Sequence, residues 1–174
     1  MRTAKTAGAV VAAGLLSAAS LSSAQDDIRG KPAFNFSLKD VNGRQTSLKE
    51  FKGKVVVLDF WAVWCGPCVR SLPFLQNLQD KYGRDGLVVI GLHVDDRRPP
   101  SDEVKEYLTE RDVSYTNLIS TTEVDENYVV MAMPTTYFVD RDGKVAGRHI
   151  GFNPTKAPEE IEKQVKTLLG RTTP

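Results

Sequence analysis

Two short runs of nearly continuous apolar residues constrain the fold of this chain most strongly. Lys54–Trp61 (KVVVLDFW) and Leu87–Val94 (LVVIGLHV) each have the length of a strand and are rich in β-branched residues. Strands of this composition are buried on both faces, which is typical of parallel strands covered by helices. Between the two runs, leucines recur at helical spacing from Pro67 to Tyr82. The sequence therefore predicts a strand–helix–strand unit.

Further elements are predicted on both sides of this unit. Before it, strands at Phe34–Leu38 and Gln45–Ser47 are joined by an Asn-Gly turn, a dipeptide that favours a hairpin, and Leu48–Phe51 forms a helical turn. After it come further helices and strands: a helix capped by Ser101 and ending near Glu110, a strand at Asn117–Ile119, a helix at Glu123–Val130, strands at Thr135–Val139 and Lys144–Ile150, and a helix at Pro158–Leu169. This order predicts one α/β domain with a mixed central sheet flanked by helices, an N-terminal β-hairpin and a central βα insertion.

The amino-terminal segment has the pattern of a secretory signal peptide. Arg2 and Lys5 precede the apolar run Ala7–Leu21, and small residues lead to Ala24, where cleavage is expected. We therefore predict a signal peptide at residues 1–24 and a domain at residues 25–174. The alternative is an uncleaved membrane anchor, although the run is short for a span, which needs about 20 apolar residues.

The charge balance argues against nucleic-acid binding. The chain has 23 basic and 22 acidic residues, and residues 1–24 hold two of the basic ones and no acidic one. The remaining domain is close to neutral, which provides no electrostatic basis for binding nucleic acid or a membrane surface.

The two cysteines, Cys65 and Cys68, point to redox chemistry. A structural disulfide stabilises a fold mainly by closing a long loop. A bond between two cysteines this close in sequence closes only a very short loop and therefore stabilises the fold little. In an exported chain such a pair is therefore interpreted as catalytic. A zinc site is the alternative, but zinc needs about four ligands, and the sequence offers no other cysteine and two histidines, His93 and His149.

The position of the pair suggests a role for each thiol. Cys65 falls at the start of the predicted helix, where unpaired N–H groups and the helix dipole favour a thiolate. Cys68 lies one turn further on and is more shielded. We therefore predict Cys65 as the nucleophile and Cys68 as the resolving thiol. Gly66 and Pro67 hold the turn between them, and Trp64 provides an apolar wall beside the nucleophile.

Asp59 is the third candidate catalytic residue. It lies in the first apolar strand, six positions before Cys65. Burial of a carboxyl among Val, Leu and Phe raises its pKa and suggests a functional base. The alternative is a carboxylate that reaches solvent at the end of the strand.

These segments carry a resemblance to a known family. Asp59–Cys68 (DFWAVWCGPC) resembles the active-site segment of thioredoxins, and Pro73 resembles their helix-kinking proline. Met133–Thr136 (MPTT) resembles the active-site loop in which the thioredoxin proline is cis. Together with the N-terminal hairpin, these motifs make the chain similar to the exported TlpA/ResA branch of the thioredoxin superfamily over most of residues 30–170.

The resemblance implies several roles. Pro134, in cis, and Met133 would form a platform on which an extended substrate pairs by β-augmentation. Asp59 would accept the proton of Cys68, as the matching aspartate does in thioredoxins, although TlpA/ResA-like proteins often have asparagine there. Thioredoxins also place a lysine beside that aspartate, whereas the corresponding residue here is Gly91. Without a cation nearby, the pKa of Asp59 should rise further.

The leading functional prediction is an exported, periplasmic dithiol reductant of disulfides in other exported proteins. It needs no cofactor beyond a reversible Cys65–Cys68 disulfide, and we expect a monomer. The resemblance implies apocytochrome c maturation as a typical use and a membrane thiol-electron carrier as the reductant. The alternatives are a disulfide oxidant or isomerase, a thiol peroxidase, and a redox-inert binding module. The peroxidase motif Pro-x-x-x-Thr/Ser-x-x-Cys is missing before Cys65.

Overall fold

A computed structural model describes residues 27–94 and 101–170 of the chain. The predicted signal peptide at residues 1–24 lies outside the described residues. In the described part of the chain, no helix is both long enough and apolar enough to cross a membrane.

A mixed five-stranded sheet forms the centre of the fold, in the strand order β5-β4-β3-β6-β7, and β1 and β2 form a separate antiparallel pair. In chain order, the elements are β1 (Ser37–Lys39), β2 (Gln45–Ser47), β3 (Val55–Trp61), α1 (Gly66–Tyr82), β4 (Leu87–His93), α2 (Ser101–Thr109), β5 (Thr116–Ile119), α3 (Thr122–Asn127), β6 (Thr135–Val139), β7 (Val145–Ile150) and α4 (Ala157–Leu169). This arrangement confirms the predicted α/β fold, with β3 parallel to β4 and antiparallel to β6.

The core has two layers, one on each face of the sheet. Alternate residues of β3, including Val57 and Trp61, pack against apolar side chains of α1, α2 and α4. The intervening residues, including Leu58 and Phe60, pack against the N-terminal hairpin and α3. Every residue of β3 is buried, which explains why its sequence is continuously apolar rather than alternating.

Two predicted elements differ from the structure. The strand predicted at Phe34–Leu38 is only Ser37–Lys39, because the backbone before it bonds elsewhere: Phe34 O accepts the Tyr128 hydroxyl and Phe36 O accepts Leu48 N. The helix predicted at Glu123–Val130 ends at Asn127, since Val129 takes a positive φ of 50° that no right-handed helix contains.

The sheet topology gathers three segments at one end of the molecule. Strand β3 runs toward Cys65, and α1 begins directly after it. Because β6 is antiparallel to β3, its first residue, Thr135, pairs with Phe60 near that same end. The loop before β6, with Met133 and Pro134, therefore lies at the end of the sheet where α1 starts.

Candidate active site

Cys65 and Cys68 are joined by a disulfide at the start of α1, and their Cα atoms are 5.2 Å apart. Cys65 is the N-cap residue of the helix, and its Sγ accepts a hydrogen bond of 3.3 Å from Cys68 N. The first turn of the helix contains no acidic residue. A thiolate at Cys65 would therefore face unpaired backbone N–H groups and the positive end of the helix dipole, both of which lower the pKa of a thiol.

The surroundings of the two cysteines differ in exposure. Cys65 retains 5% of its surface and Cys68 retains none. Trp64, Gly66 and Pro67 beside them are exposed, and Trp64 keeps 51% of its surface. Cys65 thus lies nearer to solvent than Cys68, and the exposed residues beside it form a surface that an approaching polypeptide can contact.

The loop before β6 provides the second wall of the site. The peptide bond between Met133 and Pro134 is cis, as the resemblance implied. Pro134 is buried, and its carbonyl oxygen accepts a hydrogen bond of 2.7 Å from Gly151 N. The Thr135 hydroxyl donates to Ala132 O at 2.7 Å, which closes the loop on itself. Met133 is half-buried and packs on the same core layer as the two cysteines.

Asp59 lies beneath the disulfide, on the face of β3 that α1 covers. It is fully buried, which confirms the expectation of a buried carboxyl and contradicts the solvent-exposed alternative. Its Oδ1 accepts a hydrogen bond of 2.8 Å from the hydroxyl of Thr136, its register partner on β6. Its Oδ2 accepts no hydrogen bond from any described residue.

Ser71 connects the cysteine helix to this carboxyl. It lies one turn after Cys68 and is 2% exposed, and its hydroxyl donates to Cys68 O at 2.8 Å. The same hydroxyl is close enough to Asp59 to lower the pKa of that carboxyl.

Burial raises the pKa of Asp59 to about 7, and the hydroxyls of Thr136 and Ser71 act in the opposite direction. Desolvation is the larger influence because a charged carboxylate in an apolar interior loses its hydration. No cation among the described residues counters the desolvation, in agreement with the absence of a lysine at Gly91. A carboxyl with this pKa exchanges a proton readily near neutral pH.

The register partner of Asp59 on β4 is Gly91, and the structure shows why this position has no side chain. A Cβ there would lie 2.0 Å from Asn117 Oδ1 and 2.9 Å from Trp61 Nε1. These two atoms form a buried hydrogen bond of 3.0 Å, so the space that a lysine would need is filled.

Tyr115 is a further polar side chain in this layer. Its hydroxyl is buried and has no hydrogen-bond partner among the described residues. Burial and the negative charge of Asp59 raise the pKa of Tyr115 well above its usual value, so it stays neutral. Among the described residues, Asp59 thus has hydroxyl groups and no counter-ion near it in the interior behind the disulfide.

Comparison with known proteins agrees with this geometry. The Redoxin family model matches residues 28–167. The chain belongs to the Redoxin family. Relatives of this Redoxin protein include the thioredoxin-like protein YneN of Bacillus subtilis (34% identical, covering 78% of each chain) and the thiol-disulfide oxidoreductase ResA of Bacillus cereus (34% identical, covering 83% of this chain and 79% of ResA).

A solved structure described as the thiol:disulfide interchange protein DsbE of Chlorobium tepidum is also similar. It superimposes with a TM-score of 0.75 at 34% identity and covers 82% of this chain and 98% of its own. With the Cys65–Cys68 disulfide in place, these relatives establish that this Redoxin-family chain is a thioredoxin-like thiol–disulfide oxidoreductase. Its redox group is its own cysteine pair, and no cluster of metal-ligating side chains occurs within residues 27–94 and 101–170.

All the predicted site residues of this Redoxin domain lie at or directly beneath one end of the sheet. The individual roles of Cys65, Cys68, Asp59, Trp64, Gly66, Pro67, Met133 and Pro134 remain predictions. Sequence reasoning missed Ser71 and Tyr115. Ser71 had a detectable signal, since it lies three residues after Cys68 on the buried face of a helix, whereas nothing local distinguished Tyr115.

Proposed function

We propose that this oxidoreductase is a dithiol reductant of disulfides in exported proteins. The observation that carries the proposal is the placement of a fully buried carboxyl, Asp59, behind a disulfide whose first cysteine caps a helix. The Gly-Pro pair between the cysteines supports the direction of electron flow, since thioredoxin has a potential of about −270 mV, against about −120 mV for the strong oxidant DsbA.

The first half-reaction begins at Cys65. In the reduced protein its thiolate attacks one sulfur of a substrate disulfide, forms a mixed disulfide and releases the other substrate sulfur as a thiolate. Exposed Trp64 and Pro67, together with the Met133–Pro134 loop, would position an extended substrate segment across the sulfur. Backbone pairing with Met133 would give affinity without strict sequence requirements.

The second half-reaction belongs to Cys68. Its thiol loses a proton to Asp59 and attacks Cys65 Sγ, which forms the Cys65–Cys68 disulfide and releases the second substrate thiolate. Two electrons pass to the substrate in total. Ser71, whose hydroxyl donates to Cys68 O at 2.8 Å, would turn that hydroxyl to form a hydrogen bond with Asp59 whenever the carboxyl is ionised.

Export and recharging complete the proposal. The signal-peptide pattern at residues 1–24 supports a periplasmic location, or a membrane-anchored one if the segment is not cleaved. A membrane thiol-electron carrier would return the protein to its dithiol form, because an oxidising compartment offers no small-molecule reducing pool. Apocytochrome c is a substrate consistent with the similarity to ResA.

Two measurements test the proposal. The reduction potential of the pair, from equilibration with dithiothreitol or glutathione buffers, should lie near −270 mV, and a value above about −180 mV would identify an oxidant or isomerase instead. The Cys68→Ala variant, expressed in the native compartment, should accumulate mixed disulfides with exported proteins through Cys65. The matched Cys65→Ala/Cys68→Ala variant should capture none.

A further inference from the structure

A basic groove borders the redox site on one side. It has a volume of about 540 Å³ and runs from Pro67 and Met133 to the loop between β7 and α4. Pro67 belongs to the redox motif and Met133 to the cis-proline loop, so the groove is continuous with the site where a substrate disulfide must lie. A polypeptide segment bound over Cys65 would therefore extend into it.

The lining of the groove includes both apolar and cationic side chains. Ile150 and Phe152 supply apolar surface, and Arg70 and Lys156 are exposed along the lining. Neither cation forms an ion pair with any described residue. Two exposed cations in a groove that borders the redox pair attract a carboxylate from a partner.

The groove's own acidic residue offsets only one of these two charges. Glu160 is the carboxylate among the described residues that line it, and its Oε2 lies 3.5 Å from Nδ1 of His149. It therefore faces a histidine and not Arg70 or Lys156. Among the described side chains that line the groove, two cations therefore stand against one carboxylate, which leaves the lining with one net positive charge.

Exposed apolar side chains surround the same end of the molecule. In the described part of the chain, the large hydrophobic residues that are more than half exposed are Trp64 (51%), Ile150 (54%) and Met131 (87%). Trp64 precedes Cys65, Met131 lies in the loop before Pro134, and Ile150 pairs with Thr135. Apolar surface concentrated around one site is typical of a surface that binds proteins.

We infer that this groove selects partner segments in which acidic residues flank the reacting cysteine. The inference deepens the proposed function, on which it rests, by naming the charge of the substrate. Arg70 and Lys156 contact the partner's carboxylates, while Trp64, Met131 and Ile150 contact its apolar side chains. Since exposed ion pairs are individually weak, the two together favour an acidic over a neutral segment by about fivefold.

The test uses three symmetric peptide disulfides that differ only in the residues flanking cysteine, which are Glu, Gln or Lys. The fully reduced protein in excess converts each disulfide to two thiols, and the second-order rate constant is measured by chromatography of the released peptide. Each rate is divided by the rate of the same peptide with uncharged dithiothreitol, because acidic neighbours also change the reactivity of the peptide sulfurs. The wild type should prefer Glu over Gln by about fivefold and disfavour Lys.

The Arg70→Gln/Lys156→Gln variant should lose this preference while it still reduces the Gln peptide. Its matched control is Lys52→Gln/Lys54→Gln, which removes two exposed lysines from a separate cavity of about 370 Å³ at the other end of the sheet. The control changes the net charge equally and should keep the preference. Raising the ionic strength from about 0.01 M to about 1 M, which shortens the screening length from about 30 Å to about 3 Å, should abolish it in the wild type.

Three results would overturn the inference: equal rates for all three peptides in the wild type, an unchanged preference in Arg70→Gln/Lys156→Gln, or a preference lost equally in the distal control. Failure of the proposed function gives a different pattern, in which the reduced protein leaves every peptide disulfide intact or its potential lies in the oxidant range. The two failures are therefore distinguishable from the peptide rates together with the reduction potential.

Discussion

Thr136 donates its hydroxyl proton to Asp59 from the neighbouring antiparallel strand, at 2.8 Å and in direct register. The bond holds one carboxyl oxygen on the sheet, and Ser71, on the helix that carries Cys68, is close enough to lower the pKa of the same carboxyl. Two adjacent strands and one helix thus define the orientation of a group that local sequence alone identifies only as a buried acid.

Replacing Asp59 by Asn should stabilise the oxidised protein at alkaline pH. The pKa of Asp59 in the folded protein, about 7, lies above its ordinary value of 3.8, so between these values the folded state holds a proton that the unfolded chain has lost. The stability contribution of the protonated form is complete below pH 3.8 and is lost as the pH rises through 7. The free energy of unfolding of Asp59→Asn, relative to that of the wild type, should therefore rise by about 3 kcal/mol between pH 5 and pH 8.

Guanidinium unfolding of the oxidised proteins at several pH values measures this difference. Asp142→Asn, at an exposed position, is the control and should stay within about 0.5 kcal/mol of the wild type throughout. A constant difference between Asp59→Asn and wild type across this range would show that the carboxyl does not titrate near neutrality.

The same Asp59→Asn substitution should slow resolution of the mixed disulfide. Without the carboxylate, Cys68 must lose its proton to solvent from a fully buried position, and general-base catalysis typically contributes about 100-fold. Rapid-mixing measurements on a preformed mixed disulfide isolate this step from the attack by Cys65. Equal resolution rates in the two proteins would remove Asp59 from the mechanism.

Removing the Ser71 hydroxyl should shift the pH profile of resolution upward. Ser71→Ala deletes a group that lowers the pKa of Asp59, so the carboxylate form would appear at higher pH. Ser71→Thr keeps the hydroxyl and should restore the profile. A uniform loss of rate with no shift along the pH axis would indicate a purely structural role for this side chain.

Adding one methyl group at Gly91 should destabilise the protein by about 2–3 kcal/mol. The new Cβ would lie 2.0 Å from Asn117 Oδ1 and would disrupt the buried bond to Trp61 Nε1. Thermal or denaturant unfolding measures the loss, and Gly66→Ala is the control, since a Cβ there meets no atom within 4 Å.

A double-mutant cycle identifies the cause of that loss. Asn117→Ala removes the side chain with which the new Cβ collides, so Gly91→Ala should be milder in that background than in the wild type. Strict additivity of the two changes would assign the destabilisation to some other contact.

The central strands, the helix from the cysteines and the position of the redox pair were predictable because each depends on local composition and spacing. Lys54–Trp61 was apolar enough to indicate burial on both faces, and β3 occupies Val55–Trp61. The burial of Asp59 also followed, since its neighbours in sequence are its neighbours in the strand.

Contacts between distant parts of the chain could not be predicted in this way. Nothing near Gly91 in sequence shows that Asn117 and Trp61 meet above it. Arg70 and Lys156 are 86 positions apart in sequence and share a groove only after α1 and α4 pack on one face of the sheet. The short strand at Ser37–Lys39 reflects the same limit, because a hydroxyl from Tyr128 satisfies the Phe34 carbonyl.

The position of residues 30–33 on the domain determines which way the redox site faces when the domain is held by its amino-terminal segment. Residues 30–33 bond to Gly143 and Val145, beside the turn between β6 and β7, at the end of the sheet opposite Cys65. A domain held by its amino-terminal segment would therefore be attached at the end of the sheet that lies opposite the redox site. Its disulfide would lie at the end of the domain away from the attachment, where a substrate polypeptide can reach it.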